Sequence, residues 1–223
     1  MKLEDKFSLT SDQNKRYAKM NLTRLVYTNS RFEGLTTTLP QTQTIIDGMS
    51  VSGVSVEDIN TIVQLKRGWQ FIINQPTPLT FKMEKKINEI VARDDALIPG
   101  EIRTGHSEVA IVNGDTYVPI VPSEDDEEGF FEKVMNDTSR SATDKALTIM
   151  YRNMRNQIFW DGNKRSATLA ANKIMIDNGA GLINVPLDLW ETWNKLISEY
   201  YVTGKMDELK QWTYDNGVQG IKL

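Results

Sequence analysis

The chain has 223 residues, no cysteine, one histidine (His106), and a net charge of −4 from 26 Lys and Arg against 30 Asp and Glu. That length suits one large domain or two small ones, and the composition excludes disulfides, thiolate metal sites, cysteine nucleophiles and His-rich metal centres, leaving a Ser-His-Asp triad only if built on His106. The charge balance excludes a broad basic face, no apolar run approaches the ~20 residues of a membrane span, and the charged Met1–Lys6 start does not fit a signal peptide, so a cytoplasmic protein with no nucleic-acid or membrane partner is expected.

Helical periodicity dominates the chain. A first helix is expected over about 11–28, with Ser11 as N-cap and Tyr17, Met20, Leu25 and Val26 on an apolar stripe. Thr36 to Thr42 interrupt helicity, and a short helix is expected between them and Gly48. Ser55 and Asp58 resemble a capping box ahead of Ile59, Ile62, Val63, Ile72 and Ile73, which predicts a long helix over 56–74, stopped by Pro76 and Pro78. Met83, Ile87, Ile90 and Val91 predict a further helix that ends near Asp94 or Asp95.

Residues 102–120 read differently. Val109 and Ile111, then Val118 and Ile120, alternate around Asn113-Gly114, a pair favoured in tight hairpin turns because both positions need positive φ. The acidic run Glu124–Glu128 reads as a solvated loop or a helical first turn, where acids suit the dipole. A helix from Ser141, with Asp144 three residues on, carries Leu147, Met150, Tyr151 and Met154. Another covers 164–178 and stops at Asn178-Gly179. Trp190, Trp193, Leu196, Ile197, Tyr200, Tyr201, Leu209 and Trp212 mark two closing helices. One mainly α domain with one hairpin is expected.

Between the helices of 141–156 and 164–178 stands Phe159-Trp160-Asp161-Gly162-Asn163-Lys164-Arg165. Three turn formers in a row feed directly into a helix, whose free N–H groups and dipole attract anions. Gly162 lets a ligand approach the backbone, Lys164 and Arg165 add positive charge, and Asp161 offers a hard carboxylate beside them. That is the chemistry of a nucleotide polyphosphate with Mg²⁺. The plainer reading is a polar helix hairpin. Against it, two cations in a first helical turn oppose the dipole, a cost that an anion relieves.

Read from Gln157 to Thr168, this segment resembles the core motif of the Fic/Doc family, His-x-Phe-x-(Asp/Glu)-Gly-Asn-(Gly/Lys)-Arg, often followed by a second arginine. Gln157 replaces the histidine, and Thr168 stands at the second arginine. Ser30-Arg31-Phe32-Glu33-Gly34 with Leu39-Pro40-Gln41-Thr42 resembles the family's N-terminal inhibitory element, with Asn29 in place of its usual Ser or Thr. Gly100-Glu101-Ile102-Arg103-Thr104-Gly105, the hairpin and Tyr117-Val118-Pro119 resemble its flap. The resemblance covers most of residues 20–180. It implies a Fic-type helical bundle: an inhibitory region over 1–50, a core over 51–180 with the flap at about 100–121, and closing helices over 181–223.

For function, the resemblance implies transfer of AMP from ATP to a protein Ser, Thr or Tyr hydroxyl. Asp161 is implied as the Mg²⁺ ligand. Gly162, Asn163, Lys164 and Arg165 are implied as nucleotide-binding, Gln157, Asp161, Asn163 and Arg165 as the catalytic set, and Glu33 as the inhibitory acid. The protein target is expected to dock at the 100–121 hairpin. Gln157 cannot serve as the base, because an amide takes no proton near neutral pH and only orients a hydroxyl. Its phase after Met150 and Met154 places it facing inward, either as a buried amide satisfying nearby backbone or as a group that positions a hydroxyl. His106, on the flap, is a surface residue rather than a replacement base. Without a partner at Thr168, Glu33 is expected to pair with Arg165 or to act as a helix-end acid. The expected activity is therefore AMP transfer that is weakened or absent. The alternatives are a silent nucleotide- or protein-binding homologue, or a kinase of a protein target like the Doc branch. A plain helical interaction domain ranks last, and a homo-oligomer is left open.

Overall fold

A computed structural model describes residues 3–111 and 114–222. Its helices are α1 (Ser11–Met20), α2 (Leu22–Ser30), α3 (Leu39–Ile46), α4 (Val56–Asn74), α5 (Phe81–Val91), α6 (Glu124–Met135), α7 (Ala142–Asn156), α8 (Asn163–Asp177), α9 (Trp190–Thr203) and α10 (Asp207–Gly217). Two antiparallel pairs of two-residue strands complete it, β1 (Val109–Ala110) with β2 (Thr116–Tyr117), and β3 (Leu182–Ile183) with β4 (Val218–Gln219).

The centre is α8. Its small residues Ala167, Ala170 and Ala171 are buried together with Leu169, Ile174, Met175 and Ile176, so apolar surface runs all around it. It packs most extensively on α7 and also meets α5, α4, α1 and β3. One continuous apolar cluster joins these helices to the N-terminal α2 and α3 and to the closing α9. No helix among the described residues is long and apolar enough to cross a membrane.

Several boundaries differ from the sequence expectation. The predicted 11–28 helix is two, broken at Asn21, whose side chain bonds back to the Tyr17 carbonyl. Its N-cap is Thr10, not Ser11: Thr10 and Gln13 form a reciprocal capping box. Met20 is 82% exposed rather than on the apolar stripe. Helix α3 begins inside the stretch expected to interrupt helicity, because Thr38 and Gln41 cap it and Pro40 fits its first turn. Helix α5 stops at Val91, short of Asp94. Helix α4 matches the expected 56–74, with Ser55 accepting the Asp58 N–H at 3.0 Å.

The hairpin pairs Val109 with Tyr117 and Ala110 with Thr116. Val118 and Ile120, expected in its second arm, lie beyond the pairing and are exposed, and Asn113 lies outside the described residues. The β3–β4 pair went unpredicted. The acidic run opens α6 as a first turn, but Glu127 turns inward and is buried against Arg152 and Asn156.

Candidate functional site

The loop 157–162 leaves α7 by an abrupt turn. Gln157 caps α7 in the left-handed region (φ 47), the one non-glycine residue with positive φ among those described. The side chain is buried, so the inward placement holds, but by a route different from helical phase. Its Nε2 donates to the Met154 carbonyl at 2.6 Å, and its Oε1 accepts from Asn163 Nδ2 at 3.2 Å. The amide thus satisfies neighbouring groups at both ends. Asn163 closes the loop from its other end. Its Oδ1 accepts the Phe159 N–H at 2.8 Å, and its Nδ2 also donates to the Phe159 carbonyl at 3.0 Å.

Gly162 precedes α8 at φ 68, and no side chain caps that helix. A Cβ at Gly162 would stand 2.6 Å from the Ala92 Cβ, so the turn fits only a glycine against α5. The first N–H groups of α8 therefore have no capping side chain. Asp161, its side chain 48% exposed, accepts the Gly162 N–H through Oδ1 and meets Arg165 Nη2 at 3.4 Å. Burial lowers the Lys164 pKa, and Glu33 opposes that shift.

Arg165 is fully buried and shared among three carboxylates. Its Nη1 is pinned to the end of α5 and just beyond, by the Val91 carbonyl at 2.5 Å and Asp95 Oδ2 at 2.7 Å. Nη2 faces Asp161, and Nε lies 2.7 Å from Glu33 Oε1. The Nε has no aligned hydrogen-bond partner, so charge alone holds the Glu33 contact. Of the two expectations for Glu33, pairing with Arg165 is what the structure contains. Burial pushes the Glu33 carboxyl up; Arg165 opposes this, and Asp161 and Asp95 add to it. Thr168 is buried with its hydroxyl unpartnered.

Glu33 is delivered from α2 by a 3-10 turn over Arg31–Glu33 that ends at Gly34 in the left-handed region. Arg31 staples this turn: it donates to the Leu35 carbonyl, to the Thr37 carbonyl at 3.0 Å and to the Tyr27 hydroxyl at 3.1 Å. Phe32 docks against the stacked pair Trp190 and Trp193 of α9, with ring centroids 5.3 and 5.4 Å away. Asn29 is not idle either. Its Oδ1 accepts from the buried Trp69 indole of α4 at 2.9 Å.

The flap is tied to this loop by two features that sequence reasoning missed. Ile102 forms an antiparallel bridge with Phe159, and the Arg103 N–H bonds the Ile158 carbonyl at 3.0 Å. Arg103 itself is fully buried and makes no ion pair among the described residues. Its guanidinium reaches four carbonyls: Gln157 (2.5 Å) and Asn156 (3.1 Å) at the end of α7, and Gly105 and Ile120 (2.5 Å each) on the two arms of the flap. A cation suits that helix C-terminus. Tyr117 stacks on Tyr201 at 5.5 Å, with Arg155 over it. His106 is exposed, in line with the surface role expected for it.

No protein-family model matches the chain, and no curated protein matches it in sequence. Solved structures do match. A Fic domain containing signalling protein from Bacteroides thetaiotaomicron is 18% identical, with a TM-score of 0.77 over 93% of this chain and 86% of that one. Fic-1 from C. elegans is 20% identical, with a TM-score of 0.74 over 87% of this chain. This chain spans only 59% of the Fic-1 chain. BepC, a VirB-translocated effector of Bartonella tribocorum solved with bound AMPPNP, is 16% identical, with a TM-score of 0.52 over 72% of this chain and 84% of that one. Identities this low speak to architecture alone, and the architecture is that of the Fic domain: a mainly α bundle carrying one β-hairpin flap.

Proposed function

We propose that the chain is a Fic-like nucleotide-binding protein held closed by Glu33, with AMP transfer to a protein hydroxyl weakened or absent. The observation that carries this reading is the Glu33–Arg165 pair at the uncapped start of α8. A buried arginine there, with free amides and Lys164 beside it, suits a polyphosphate. Glu33 sits where such an anion would sit, held by charge without an aligned hydrogen bond. A phosphate has a competing claim on Nε and Nη2, while Val91 and Asp95 keep Nη1 in place. AMPPNP bound to the BepC fold adds support for ATP as the ligand.

The residues fit Mg²⁺ as well. Asp161 is half exposed, with Oδ1 engaged locally and its other oxygen pointing to no described partner. A hard carboxylate beside phosphate oxygens is the donor set that Mg²⁺ takes, and the ion would supply neutralisation of phosphate charge. In AMP transfer, a target hydroxyl oxygen bonds to the α-phosphorus, the bond to pyrophosphate breaks, and the hydroxyl proton must leave. Gln157 cannot take that proton, and both ends of its amide are already engaged within the loop and α7. Loss of a general base costs ~10²–10⁴-fold. That same inward amide favours a second reading, a silent nucleotide binder whose flap retains a protein partner.

Labelled ATP, Mg²⁺ and lysate distinguish the two. With Glu33→Gly alone, transfer to protein is expected to be at or near background. With Glu33→Gly and Gln157→His together, transfer is expected to rise at least 100-fold. Equal background in both proteins, with ATP bound in both, would leave only the silent reading.

A further inference from the structure

We infer that Asn88 is a positioning residue that couples the root of the flap to the Asp161 carboxylate. The inference rests on the nucleotide and Mg²⁺ reading above. Asn88 lies in the last turn of α5 and is fully buried. Both hydrogens of its amide are used. Nδ2 donates to the Asp161 carbonyl at 2.8 Å and to Ser166 Oγ at 2.9 Å. Ser166 in turn donates to the Gly162 carbonyl at 2.7 Å. Both carbonyls of the Asp161–Gly162 turn are therefore held, one directly and one through Ser166. On its other side, Asn88 Oδ1 accepts the Gly100 N–H at 2.9 Å.

Gly100 lies two residues before Ile102, which bridges to Phe159. The flap root and the motif loop thus meet twice, once strand to strand and once through Asn88. The two contacts make a closed circuit: Gly100, Asn88, Asp161, Phe159, Ile102. Asn88 makes no such bond within its own helix. Its three partners belong to the flap root, the motif loop and the first turn of α8, and an apolar residue of similar volume would fill the space without joining them. Holding the Asp161 carbonyl orients its backbone, and the Gly162 N–H holds Oδ1, so the two bonds together place the half-exposed carboxylate. A shift of the flap root, as when a partner strand adds to the hairpin, moves the Gly100 N–H and is felt at Asp161 through one side chain. Metal-assisted nucleotide binding and flap occupancy are then linked.

The test uses Asn88→Asp in the Glu33→Gly protein. This change keeps the acceptor for Gly100 and loses both donors. Calorimetry measures ATP affinity without metal and with Mg²⁺. Metal-free affinity is expected to stay within twofold, whereas the gain from Mg²⁺ is expected to fall at least tenfold. A merely structural role would lower both together. Amide exchange of the ligand-free proteins supplies a second readout. Asn88→Asp is expected to speed exchange of residues 98–104 and 158–163 together while leaving α4 unchanged. If the variant does not fold, the Glu33→Gly protein alone decides: Mg²⁺ with ATP is expected to slow exchange at 98–104 more than ATP without metal. An unchanged Mg²⁺ gain, or exchange at 98–104 indifferent to metal, overturns the coupling alone. Absence of ATP binding to Glu33→Gly overturns the nucleotide reading, and the coupling with it.

Discussion

Glu84 gives a prediction that can be worked out in numbers. It sits on α5 with 1% exposure, beneath the α7 helix that delivers Gln157. Asn153 donates to its Oε1, and Oε2 has no partner. Burial pushes its carboxyl from 4.5 up to about 8; the Asn153 hydrogen bond opposes this and the nearby Glu127 charge reinforces it. The folded protein then keeps a proton that the unfolded chain releases as pH rises above 4.5. Stability therefore falls with rising pH between those values, at up to ~1.4 kcal/mol per pH unit. Glu84→Gln keeps an acceptor for Asn153 and has no proton to lose. Relative to the parent, it is expected to be nearly neutral at pH 5 and more stable by up to ~4 kcal/mol at pH 8. For a chain of this size that corresponds to a Tm difference of roughly 8–16 °C. Thermal unfolding by circular dichroism at pH 5, 6, 7 and 8 reads it directly. Parallel Tm curves for the two proteins would refute the argument, because they would place an ordinary, ionised carboxylate at position 84.

Two further substitutions test how the loop and flap are held. Gly162→Ala is expected to cost ~1–3 kcal/mol, through overlap with Ala92 and a strained positive φ. Adding Ala92→Gly should recover the steric share but not the backbone share, and full recovery in urea unfolding would contradict the strain. Arg103→Lys keeps the charge but cannot serve four carbonyls at once, so it is expected to cost at least ~2 kcal/mol and to speed amide exchange across the described flap residues 105–111 and 114–121. Unaltered exchange there would show that the flap is held by its strand pairing alone.

What was legible in the sequence follows the range of the interactions. Helices α4 and α7 announced themselves because cap and apolar stripe lie within one element, and α8 because turn formers precede it and Asn178-Gly179 stops it. The Asp161–Arg165 loop was legible for the same reason: its turn formers, cations and carboxylate are consecutive. The break at Asn21 was not, since a side chain bonding its own preceding turn leaves the periodicity intact. Nor was the left-handed Gln157. Helical phase extrapolated one residue too far gave the right burial by the wrong geometry. Asn88 and Asp95 were invisible as site residues and the anchoring role of Arg103 went unread, because each reaches a partner in the distant 156–165 segment. The β3–β4 pair joins two-residue strands 35 positions apart, too short to carry a period.

The central claim is that Glu33 occupies the guanidinium an ATP phosphate would use. Calorimetric titration of Mg²⁺ and ATP into the parent and into Glu33→Gly tests it most directly. The account predicts at least tenfold tighter binding in Glu33→Gly, about 1.4 kcal/mol or more, and loss of that binding when Arg165→Ala is added. Equal affinity in the parent and Glu33→Gly, or tight binding that survives Arg165→Ala, would contradict it.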